Sequence, residues 1–455
     1  MSRSPSIALE TDLYHVDAAY VAWKSGQRGL ATFDLFVRRA PFGGAFMLFA
    51  GLEAALTYLR EFRYNTSDLD FLRTLRKYDE AFLAELEALR FSGEVLSFEE
   101  GDIAFPGEPL LRITAPFIEA MLVESGLLRA IGVSTLIATK AARMTLVAQG
   151  ASLADFSLRR AHDPYTAARS SYIGGFDTTS FIDAARQLGI PASGTIPHAL
   201  VQAFPDELAA FRAVATTFAN YSLLLDTYDV AAGIRHAIQV AQESREAYGH
   251  VLTAVRLDSG PLEQGSRFIR QELDSAGLRE VKVLVSGDID EFRIQRLMTA
   301  GAPVDGFGVG GNLGVGLGTV ESAQVGGVIG AVYKLAWYGE SETGSRMKIA
   351  GGKSTLPGRK LPWRVGNFEY DLVQLDNELP PENARPLLTS VIMDGEFTYL
   401  SPPLVEIKQR ALNSIRSLPA EMKELTVESD YPVRNSDELN SLTQETIDRI
   451  ADQNA

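Results

Sequence analysis

The stretch Val251–Gly260, VLTAVRLDSG, joins an apolar run to a cluster of reactive side chains. Its first five residues predict a buried strand, and Arg256, Asp258, Ser259 and Gly260 follow at once. In α/β enzymes the strand fixes the position of the chemistry, and the loop at its carboxyl end presents the groups to a ligand. A cation, a carboxylate and a turn glycine therefore indicate an active site, although the stretch alone is equally typical of a strand with a solvated turn.

His198 is the histidine whose surroundings are most typical of a catalytic group. It lies in SGTIPHAL, where glycine and proline predict an irregular backbone within a segment of strand character. An imidazole there could transfer a phosphoryl group or a proton, and it is equally compatible with a satisfied structural histidine. His236 and His250 fall on or beside predicted helical surface, and no histidine pair has the spacing of a zinc site.

The run Gly306–Gly311, GFGVGG, fits the pattern G-x-G-x-x-G. It is weak as a dinucleotide fingerprint, because it comes late in the chain and no suitable acidic residue follows about twenty residues on. A glycine-rich turn after a strand also exposes backbone N–H groups to an anion, as on the last strands of many barrels. The run therefore predicts a phosphate-binding loop.

Charge limits the classes of ligand. The 455 residues carry a formal net charge of −15, which disfavours a nucleic acid or an anionic membrane as partner. Arginines and lysines, several of which adjoin turns or predicted strand ends, nevertheless favour a polyanionic substrate such as a pyrophosphate. These cations are Arg38, Arg39, Lys140, Arg143, Arg159, Arg160, Arg169, Arg256, Lys334, Lys353, Arg359 and Lys360.

Composition sets the class of protein. Cysteine is absent, which excludes disulfides, thiolate nucleophiles and cysteine-ligated metals. A hydrophobic share of 46% fits a soluble globular protein of two or three domains. No apolar run is expected to reach membrane-spanning length, and the N-terminal MSRSPSIALETDLY lacks the apolar centre of a signal peptide. We therefore expect a cytoplasmic protein.

A repeated pattern of strand and helix from Ser152 onward must position these groups. Predicted strands and helices alternate there at a spacing of roughly 25 to 30 residues, which is typical of βα units. The helical stretches include 206–220, 232–247 and 265–278. The predicted strands are 153–160, 194–204, 222–229, 251–260, 281–290, 304–311 and 329–338.

The residues at the strand ends decide between a barrel and a doubly wound sheet. Polar residues or glycines end most of the strands, namely Arg159, His198, Asp226/Asp229, Arg256/Asp258, Asp288 and Gly308–Gly311. A barrel brings the carboxyl ends of its strands to one opening, whereas an open sheet spreads them along an edge. We therefore predict an α/β fold: an irregular (β/α) barrel domain at 136–345, and an N-terminal α/β domain at 1–135 completed by a C-terminal segment, 346–455.

A series of segments resembles the nicotinate phosphoribosyltransferases in order and spacing. They are TDLYHVDAAY, ATFDLFVRRAPFGG, FSLRRAHD, SYIGGFDTTS, SGTIPHAL, LLLDTYD, VRLDSG, GDIDE and FGVGG, with a weaker match at YPVRNSDEL. The resemblance implies an N-terminal α/β domain joined to an irregular, incomplete barrel. It also implies transfer of phosphoribosyl from phosphoribosyl pyrophosphate to nicotinate, giving nicotinate mononucleotide and pyrophosphate, with Mg²⁺ and with ATP hydrolysis coupled through a phosphohistidine.

The resemblance also implies roles for single residues. His198 matches the phosphorylated histidine, and Asp258 matches the carboxylate that holds the ribose hydroxyls. Phe156 matches one ring that stacks on the base, and Tyr14 matches the other, supplied by the neighbouring subunit of a homodimer. The nicotinate site would further include Arg159, Arg256, Thr195 and Asp177. The phosphate loops would include Gly287, Gly310 and Gly311, and Arg38 or Arg39 would form a pyrophosphate clamp across the dimer.

Two positions depart from the pattern, and two alternatives remain open. Where many relatives have Thr after FGVG this chain has Gly311, and Ala199 follows the histidine where many relatives have Ser. The closest alternative is a nicotinamide- or quinolinate-using enzyme of the same fold. The other is a catalytically silent nucleotide-binding relative, which the joint presence of His198, Arg256 and Asp258 disfavours.

Overall fold

Two compact units make up the chain. A computed structural model describes residues 6–319, 327–339, 344–349, 353–427 and 429–453. One unit combines Met1–Thr139 with Val328–Ala455 and is called the terminal unit. The other, Lys140–Gly327, is called the barrel unit.

Helices and strands alternate along most of the described chain. The first part of the chain contains Leu13–Lys24 (α1), Leu30–Val37 (β1), Met47–Leu48 (β2), Leu52–Glu61 (α2), Thr66–Thr74 (α3), Glu80–Ala88 (α4), Glu94–Ser97 (β3), Ile103–Ala104 (β4), Pro109–Pro116 (β5), Phe117–Leu122 (α5) and Glu124–Val147 (α6). The middle part contains Ser152–Asp155 (β6), Pro164–Ile173 (α7), Thr178–Thr179 (β7), Ile182–Leu188 (α8), His198–Gln202 (α9), Glu207–Thr217 (α10), Asn220–Leu224 (β8), Val230–Tyr248 (α11), Val251–Leu257 (β9), Leu262–Ser275 (α12), Lys282–Val285 (β10), Glu291–Thr299 (α13), Gly306–Val309 (β11) and Gly311–Gly314 (α14). The last part contains Ala331–Tyr338 (β12), Lys360–Val365 (β13), Tyr370–Leu375 (β14), Ala384–Pro386 (β15), Thr389–Met393 (β16), Glu396–Phe397 (β17), Leu404–Ser417 (α15), Val433–Asn435 (β18) and Asp437–Gln453 (α16).

A curled parallel sheet forms the barrel unit. Among its described residues six strands pair in the order β7-β6-β11-β10-β9-β8, and every pairing is parallel. The strands are short apolar runs, and β11 is buried at every position, as expected for a sheet covered by helices. Parallel pairing brings all carboxyl ends to one edge. The half barrel confirms the predicted α/β class with an irregular barrel.

An antiparallel sheet forms the centre of the terminal unit. Its described strands follow the order β12-β1-β5-β3-β16-β17, so β16 from the C-terminal part of the chain pairs with β3 from the N-terminal part. Apolar side chains fill the core of this unit, where the ring of Phe33 stacks on that of Tyr333 with centroids 4.7 Å apart. The C-terminal segment therefore completes the N-terminal domain, as predicted.

The strand predicted at 329–338 has a different partner from the one expected. It is present as β12, but it pairs antiparallel with β1 and lies at the edge of the sheet in the terminal unit. The barrel unit ends at Gly327, before this strand, whereas the predicted barrel domain runs to 345. Strand propensity describes how a segment fits a pleated surface and does not name its partner.

The prediction of a strand at 194–204 was wrong. The helix α9 begins at His198 directly after Pro197, and the preceding segment is extended without a strand of its own. The neighbouring β7 occupies the sheet position instead, and a bridge from Thr179 to Ala192 attaches the irregular segment to it. Proline and glycine suit such a segment because they remove a donor or loosen the backbone.

The helix α6 corrects the expectation that no apolar run reaches membrane-spanning length. Its 24 residues are long and apolar enough to cross a membrane by length and composition alone. Glu124 is its first residue, and three further charged side chains, Arg129, Lys140 and Arg143, divide the run into shorter apolar stretches. Of its most apolar 18-residue stretch 72% is buried inside the protein, and a buried core helix can have the same length and composition.

Candidate active site

Arg256, near the end of β9, is the centre of a hydrogen-bonded cluster at the carboxyl edge of the parallel sheet. Its Nη2 donates to Oδ1 of Asp258 over 2.5 Å. Its Nε donates to the Ser286 hydroxyl and its Nη1 to the Thr195 hydroxyl, each over 2.7 Å. Since β9 is the neighbour of β10, which ends one residue before Ser286, the parallel register brings these groups together.

The carboxylate of Asp258 is held in its ionised form. Ser286 uses its own proton to donate to Oδ1 of Asp258 while it accepts from Arg256. Burial alone would raise the pKa of Asp258, but the hydrogen bond from Ser286 and the charge of Arg256 outweigh it, so the pKa lies below its usual range. A carboxylate in this state accepts hydrogen bonds and can hold hydroxyl groups of a ligand.

Asp226, which follows β8, fixes the turn after β9. Its Oδ2 accepts from the backbone N–H of Asp258 over 3.0 Å and from the Ser259 hydroxyl over 2.5 Å. Three residues further on, Asp229 caps α11 by accepting from the backbone N–H of Ala232 over 2.8 Å. Asp226 therefore holds the loop after β9, and Asp229 holds the first turn of α11.

His198 lies opposite Asp258. Its Nε2 is 3.7 Å from Oδ2 of Asp258, and its Nδ1 is 3.1 Å from the Thr227 hydroxyl. The side chain is 39% exposed, so the ring remains open to a ligand. The structure thus brings together the imidazole, guanidinium and carboxylate that the sequence singled out.

Glycine loops border a polar cavity of about 140 Å³ next to this cluster. Gly287 has φ +85°, and a Cβ there would lie 1.9 Å from the carbonyl oxygen of Asp258, so only glycine fits. A Cβ on Gly311 would lie 3.0 Å from Cδ of Arg160. The cavity is lined by Phe156, Arg159, Arg160, Arg256, Asp258, Ser286, Gly287, Asp288, Ile289, Gly308, Gly310, Gly311 and Asn312.

The same loops explain the departure at Gly311. The Asn312 side chain donates from Nδ2 to the carbonyl of Ile289 over 3.0 Å, so it links the two glycine loops. A side chain at position 311 would have to displace Arg160. Backbone N–H groups and arginines, without a threonine hydroxyl, are therefore what this cavity offers to an anion.

A second cavity of about 300 Å³ adjoins Arg256 and has a more apolar lining. The ring of Phe156 lies against Gly308, where a Cβ would come within 2.4 Å of it, and the Arg256 guanidinium is 5.7 Å from the ring centroid. Asp177 and Thr195 also line this cavity, whereas Arg159, which was expected at the nicotinate site, lines the glycine-loop cavity instead. A flat ring that carries a polar group suits such a lining, because Phe156 offers a face and Arg256 a charge.

Three predicted site residues lie in the terminal unit. Tyr14 is on α1 and is 58% exposed. Arg38 and Arg39 follow β1, and the guanidinium of Arg38 is 5.7 Å from the ring centroid of Phe36. Their roles in substrate binding stay predictions.

Two of the cations that favoured a polyanionic ligand have a structural role instead. Lys140 and Arg143 are buried and pair with the buried Glu291, at 2.5 Å and 3.0 Å respectively. Burial lowers the pKa of both cations, and the charge of Glu291 counteracts this. Their position on an apolar helix was the signal that they face inward.

Sequence reasoning missed several polar residues of the site. No role was predicted for Ser286 or Thr227, and the hydrogen bonds of Asp226 were not predicted, because each contact depends on the path of a loop. Arg160 was noted only as a cation, although it lines the glycine-loop cavity beside Arg159. The doubled arginine in FSLRRAHD was the available signal.

The carboxylates suit a metal ion only together with a ligand. Among the described residues no group of three or more His, Asp or Glu side chains could hold a metal ion. Asp258 and Asp288 both line the glycine-loop cavity. Magnesium is often held by one or two carboxylates together with substrate phosphates. These residues therefore fit a magnesium ion that arrives with a phosphate ligand.

Comparisons with known proteins agree over nearly the full length of the chain. Family models match residues 9–132 (nicotinate phosphoribosyltransferase N-terminal domain), 151–325 (nicotinate phosphoribosyltransferase family) and 370–443 (nicotinate phosphoribosyltransferase C-terminal domain). A nicotinate phosphoribosyltransferase of Mycobacterium tuberculosis is 39% identical over 95% of this chain and 92% of its own. That of Bacillus subtilis is 35% identical over 98% of this chain and 96% of its own.

A solved structure gives the same result. The crystal structure of human nicotinic acid phosphoribosyltransferase superposes with a TM-score of 0.84 at 31% identity, and covers 96% of this chain and 99% of that one. Sequence and fold therefore agree on one assignment. The chain belongs to the nicotinate phosphoribosyltransferase family.

Proposed function

We propose that this protein transfers the phosphoribosyl group of phosphoribosyl pyrophosphate to the ring nitrogen of nicotinate, giving nicotinate mononucleotide and pyrophosphate. The observation that carries the proposal is the meeting of three features in one place. An ionised Asp258 lies beside Arg256, a cavity with an aromatic wall adjoins them on one side, and glycine loops with two arginines adjoin them on the other. These features suit a sugar, a flat base and a pyrophosphate respectively.

The chemistry follows from this arrangement. Asp258 accepts hydrogen bonds from the ribose hydroxyls and so fixes the sugar. The bond from C1 of the ribose to the pyrophosphate oxygen breaks, and its electron pair leaves with pyrophosphate. Arg159 and Arg160, with the glycine N–H groups, stabilise that charge while C1 becomes oxocarbenium-like. The lone pair of the pyridine nitrogen, held in line by Phe156, then forms the new bond to C1.

The preference for nicotinate rests on charge. Nicotinate carries a carboxylate where nicotinamide carries a neutral amide, and a carboxylate is bound best by a cation with further donors. Arg256 and the Thr195 hydroxyl line the base cavity and supply both.

ATP and Mg²⁺ belong to the same proposal. His198 accepts a phosphoryl group from ATP, and hydrolysis of the phosphohistidine is coupled to the transfer. The exposure of the imidazole and its position opposite Asp258 support this role. Asp258 and Asp288 would hold magnesium together with the substrate phosphates, and the ion would supply positive charge to the leaving pyrophosphate.

We further propose a cytoplasmic homodimer in which Tyr14 and Arg38 or Arg39 of one subunit serve the site of the other. An exposed aromatic ring on α1 and two arginines beyond β1 support the proposal, because both are suited to a ligand or partner outside their own unit. Sedimentation equilibrium of the purified chain measures this. A monomer that retains full turnover would exclude the shared site.

One assay tests the activity. Turnover of phosphoribosyl pyrophosphate is measured with nicotinate, nicotinamide and quinolinate, each with and without ATP and Mg²⁺. We expect nicotinate to be preferred and ATP to stimulate. Equal or better use of nicotinamide or quinolinate would favour the enzyme with the alternative base, and no turnover of any base would favour a silent nucleotide-binding relative.

The phosphohistidine is tested by His198→Ala. We expect this variant to lose ATP stimulation and acid-labile phosphate, because the only imidazole opposite Asp258 among the described residues is removed. His236→Ala is the matched control, since that ring contacts Glu207 on a helical surface away from the cluster. Full ATP stimulation in His198→Ala would refute the role.

A further inference from the structure

Among the described residues one hydroxyl contacts the ring nitrogen of His198 that faces away from Asp258. Nδ1 of His198 is 3.1 Å from Oγ1 of Thr227, which is within hydrogen-bond distance. Nε2 is 3.7 Å from Oδ2 of Asp258, which is too long for a hydrogen bond but close enough for an electrostatic contact. The imidazole thus has one short contact and one long contact, on opposite nitrogens.

The backbone around Thr227 is fixed on both sides. Before it, Asp226 accepts from the backbone N–H of Asp258 and from the Ser259 hydroxyl, and the N–H of Leu225 donates to the carbonyl of Arg256 over 3.0 Å. After it, Asp229 caps α11, a helix of 19 residues. The Thr227 hydroxyl therefore has a defined position relative to Asp258.

The two contacts favour different tautomers of a neutral imidazole. A carboxylate attracts the ring proton to Nε2, whereas a hydroxyl that accepts from Nδ1–H holds the proton on Nδ1. Only the second tautomer has a lone pair on Nε2, the nitrogen that faces Asp258. In the proposed reaction the ribose hydroxyls occupy the Asp258 carboxylate, so its attraction for the Nε2 proton is reduced once substrate is bound.

We propose that Thr227 is a positioning residue whose hydroxyl oxygen accepts a hydrogen bond from Nδ1–H of His198 and so keeps Nε2 unprotonated as the nucleophile; this inference rests on the proposed function. The Nε2 lone pair forms a bond to the γ-phosphorus of ATP. The bond from that phosphorus to the bridging oxygen breaks, and ADP leaves with the electron pair. The Nδ1 proton stays on the ring, which becomes cationic, and the hydrogen bond to Thr227 is strengthened by that charge.

Two substitutions test the proposal. Thr227→Val keeps the shape of the side chain and removes the hydroxyl, and Thr227→Ser keeps the hydroxyl. We expect Thr227→Val to lower the rate of phosphohistidine formation about tenfold, the equivalent of one hydrogen bond. We expect Thr227→Ser to stay within about twofold of the unsubstituted protein, and both variants to keep its KM for phosphoribosyl pyrophosphate without ATP. Equal rates in all three proteins overturn the proposal.

The tautomer is measured directly, with phosphoribosyl pyrophosphate bound and without ATP. In protein labelled with ¹⁵N-histidine, the His198 signals are identified by their absence in His198→Ala. We expect the protonated Nδ1 pattern in the unsubstituted protein and in Thr227→Ser, and a shift toward protonated Nε2 in Thr227→Val. Protonated Nε2 in the unsubstituted protein overturns the proposal. If the tautomer changes with the residue at position 227 but no phosphohistidine forms, the positioning role is supported and the proposed phosphorylation by ATP is refuted.

Discussion

Two arginine–aspartate pairs, one in each unit, have the same chemistry and different surroundings. In the terminal unit Arg364 contacts Asp371 through two parallel hydrogen bonds of 2.9 Å and 2.6 Å, and the side chains are 2% and 0% exposed. In the barrel unit Arg256 contacts Asp258 through one hydrogen bond, and the side chains are 18% and 29% exposed.

The buried pair uses its hydrogen-bonding capacity within the protein. Oδ1 of Asp371 also accepts from the hydroxyl of Tyr431, and Nη2 of Arg364 donates to the carbonyl of Ile103. The ring of Phe368 lies 4.2 Å from the guanidinium. In the site pair, Oδ2 of Asp258 faces His198, and Asp258 lines the glycine-loop cavity. The difference indicates that a charged pair enclosed by its own fold is structural, whereas one that lines a cavity binds a ligand.

The largest effect is expected from breaking the buried pair. Asp371→Ala should lower the free energy of unfolding by about 3–5 kcal/mol, because it leaves the Arg364 charge buried without its carboxylate. Urea unfolding measures this. Asp70→Ala is the control, since Asp70 pairs with Arg73 at the surface and such pairs contribute about 1 kcal/mol or less. If Asp371→Ala were no more destabilising than Asp70→Ala, the buried pair would not be structural.

Breaking the site pair should affect activity and leave stability nearly unchanged. Asp258→Asn keeps the shape but cannot hold the ribose hydroxyls as an anion, and we expect kcat/KM to fall roughly 10²–10³-fold. Steady-state kinetics and urea unfolding are measured on the same preparation. Asp274→Asn, which changes the exposed partner of Arg270, is the control. A large loss of stability without loss of activity in Asp258→Asn would mean that the site pair, like the buried pair, is structural.

Glu108, next to the buried pair, should make the stability of the protein depend on pH. It is fully buried beside Asp371, and burial and that neighbouring carboxylate raise its pKa well above the usual range. The folded state therefore holds the Glu108 proton more tightly than the unfolded chain does. This stabilisation is complete below the unfolded pKa of about 4.3 and is lost as the pH rises toward the folded pKa.

Glu108→Gln should remove that dependence. The amide keeps an oxygen that can accept from the backbone N–H of Phe105, as Glu108 does over 2.7 Å, and it needs no proton. We expect its unfolding free energy to change less between about pH 5 and pH 8 and to exceed that of the unsubstituted protein at the higher pH. Glu87→Gln, on an exposed face of α4, is the control. If the unfolding free energies of all three proteins changed with pH in parallel, ionisation of Glu108 would not destabilise the folded state.

Much of the barrel unit was predictable, because the regular spacing of apolar strands and the polar residues that follow them indicated the same parallel fold. The strands β8, β9, β10 and β11 are apolar runs followed by polar residues or glycine, and parallel pairing then brings Asp226, Asp258 and Gly287 to one edge. The approach of Arg256 to Asp258 follows from their spacing at the end of β9. These features depend on short-range pattern and on a general rule of parallel sheets.

The remaining features depend on loop paths and on partners distant in the sequence. The contact of His198 with Thr227 requires that the segment after β7 end in a helix, whereas its residues also fit a strand. The apolar helix indicates that Lys140 and Arg143 face inward, but their partner, Glu291, is far along the barrel unit in sequence, so no local pattern identifies it. Propensity alone cannot distinguish a cation that binds a ligand from one that pairs in the core.

Arg160 offers a smaller effect at the open site. Its side chain lies against Gly311 in the glycine-loop cavity, so we expect Arg160→Ala to raise the KM for phosphoribosyl pyrophosphate about tenfold through loss of a charge-assisted hydrogen bond. Steady-state kinetics with that substrate varied measure this. Arg279→Ala, at an exposed position of the same unit, is the control. An unchanged KM would mean that Arg160 serves only to cover the loop.

The smallest effect is expected at Tyr14, which extends the comparison to a residue outside the barrel unit. If its ring stacks on nicotinate, Tyr14→Ala should raise the KM for nicotinate about fivefold, since such a ring contributes on the order of 1 kcal/mol. Tyr14→Phe keeps the ring and should retain the KM. Tyr248→Ala, with a similarly exposed ring at the end of α11, is the control. Because exposure alone would make both tyrosines dispensable, a KM that changes only in Tyr14→Ala separates a ring that serves the base from one that merely lies at the surface.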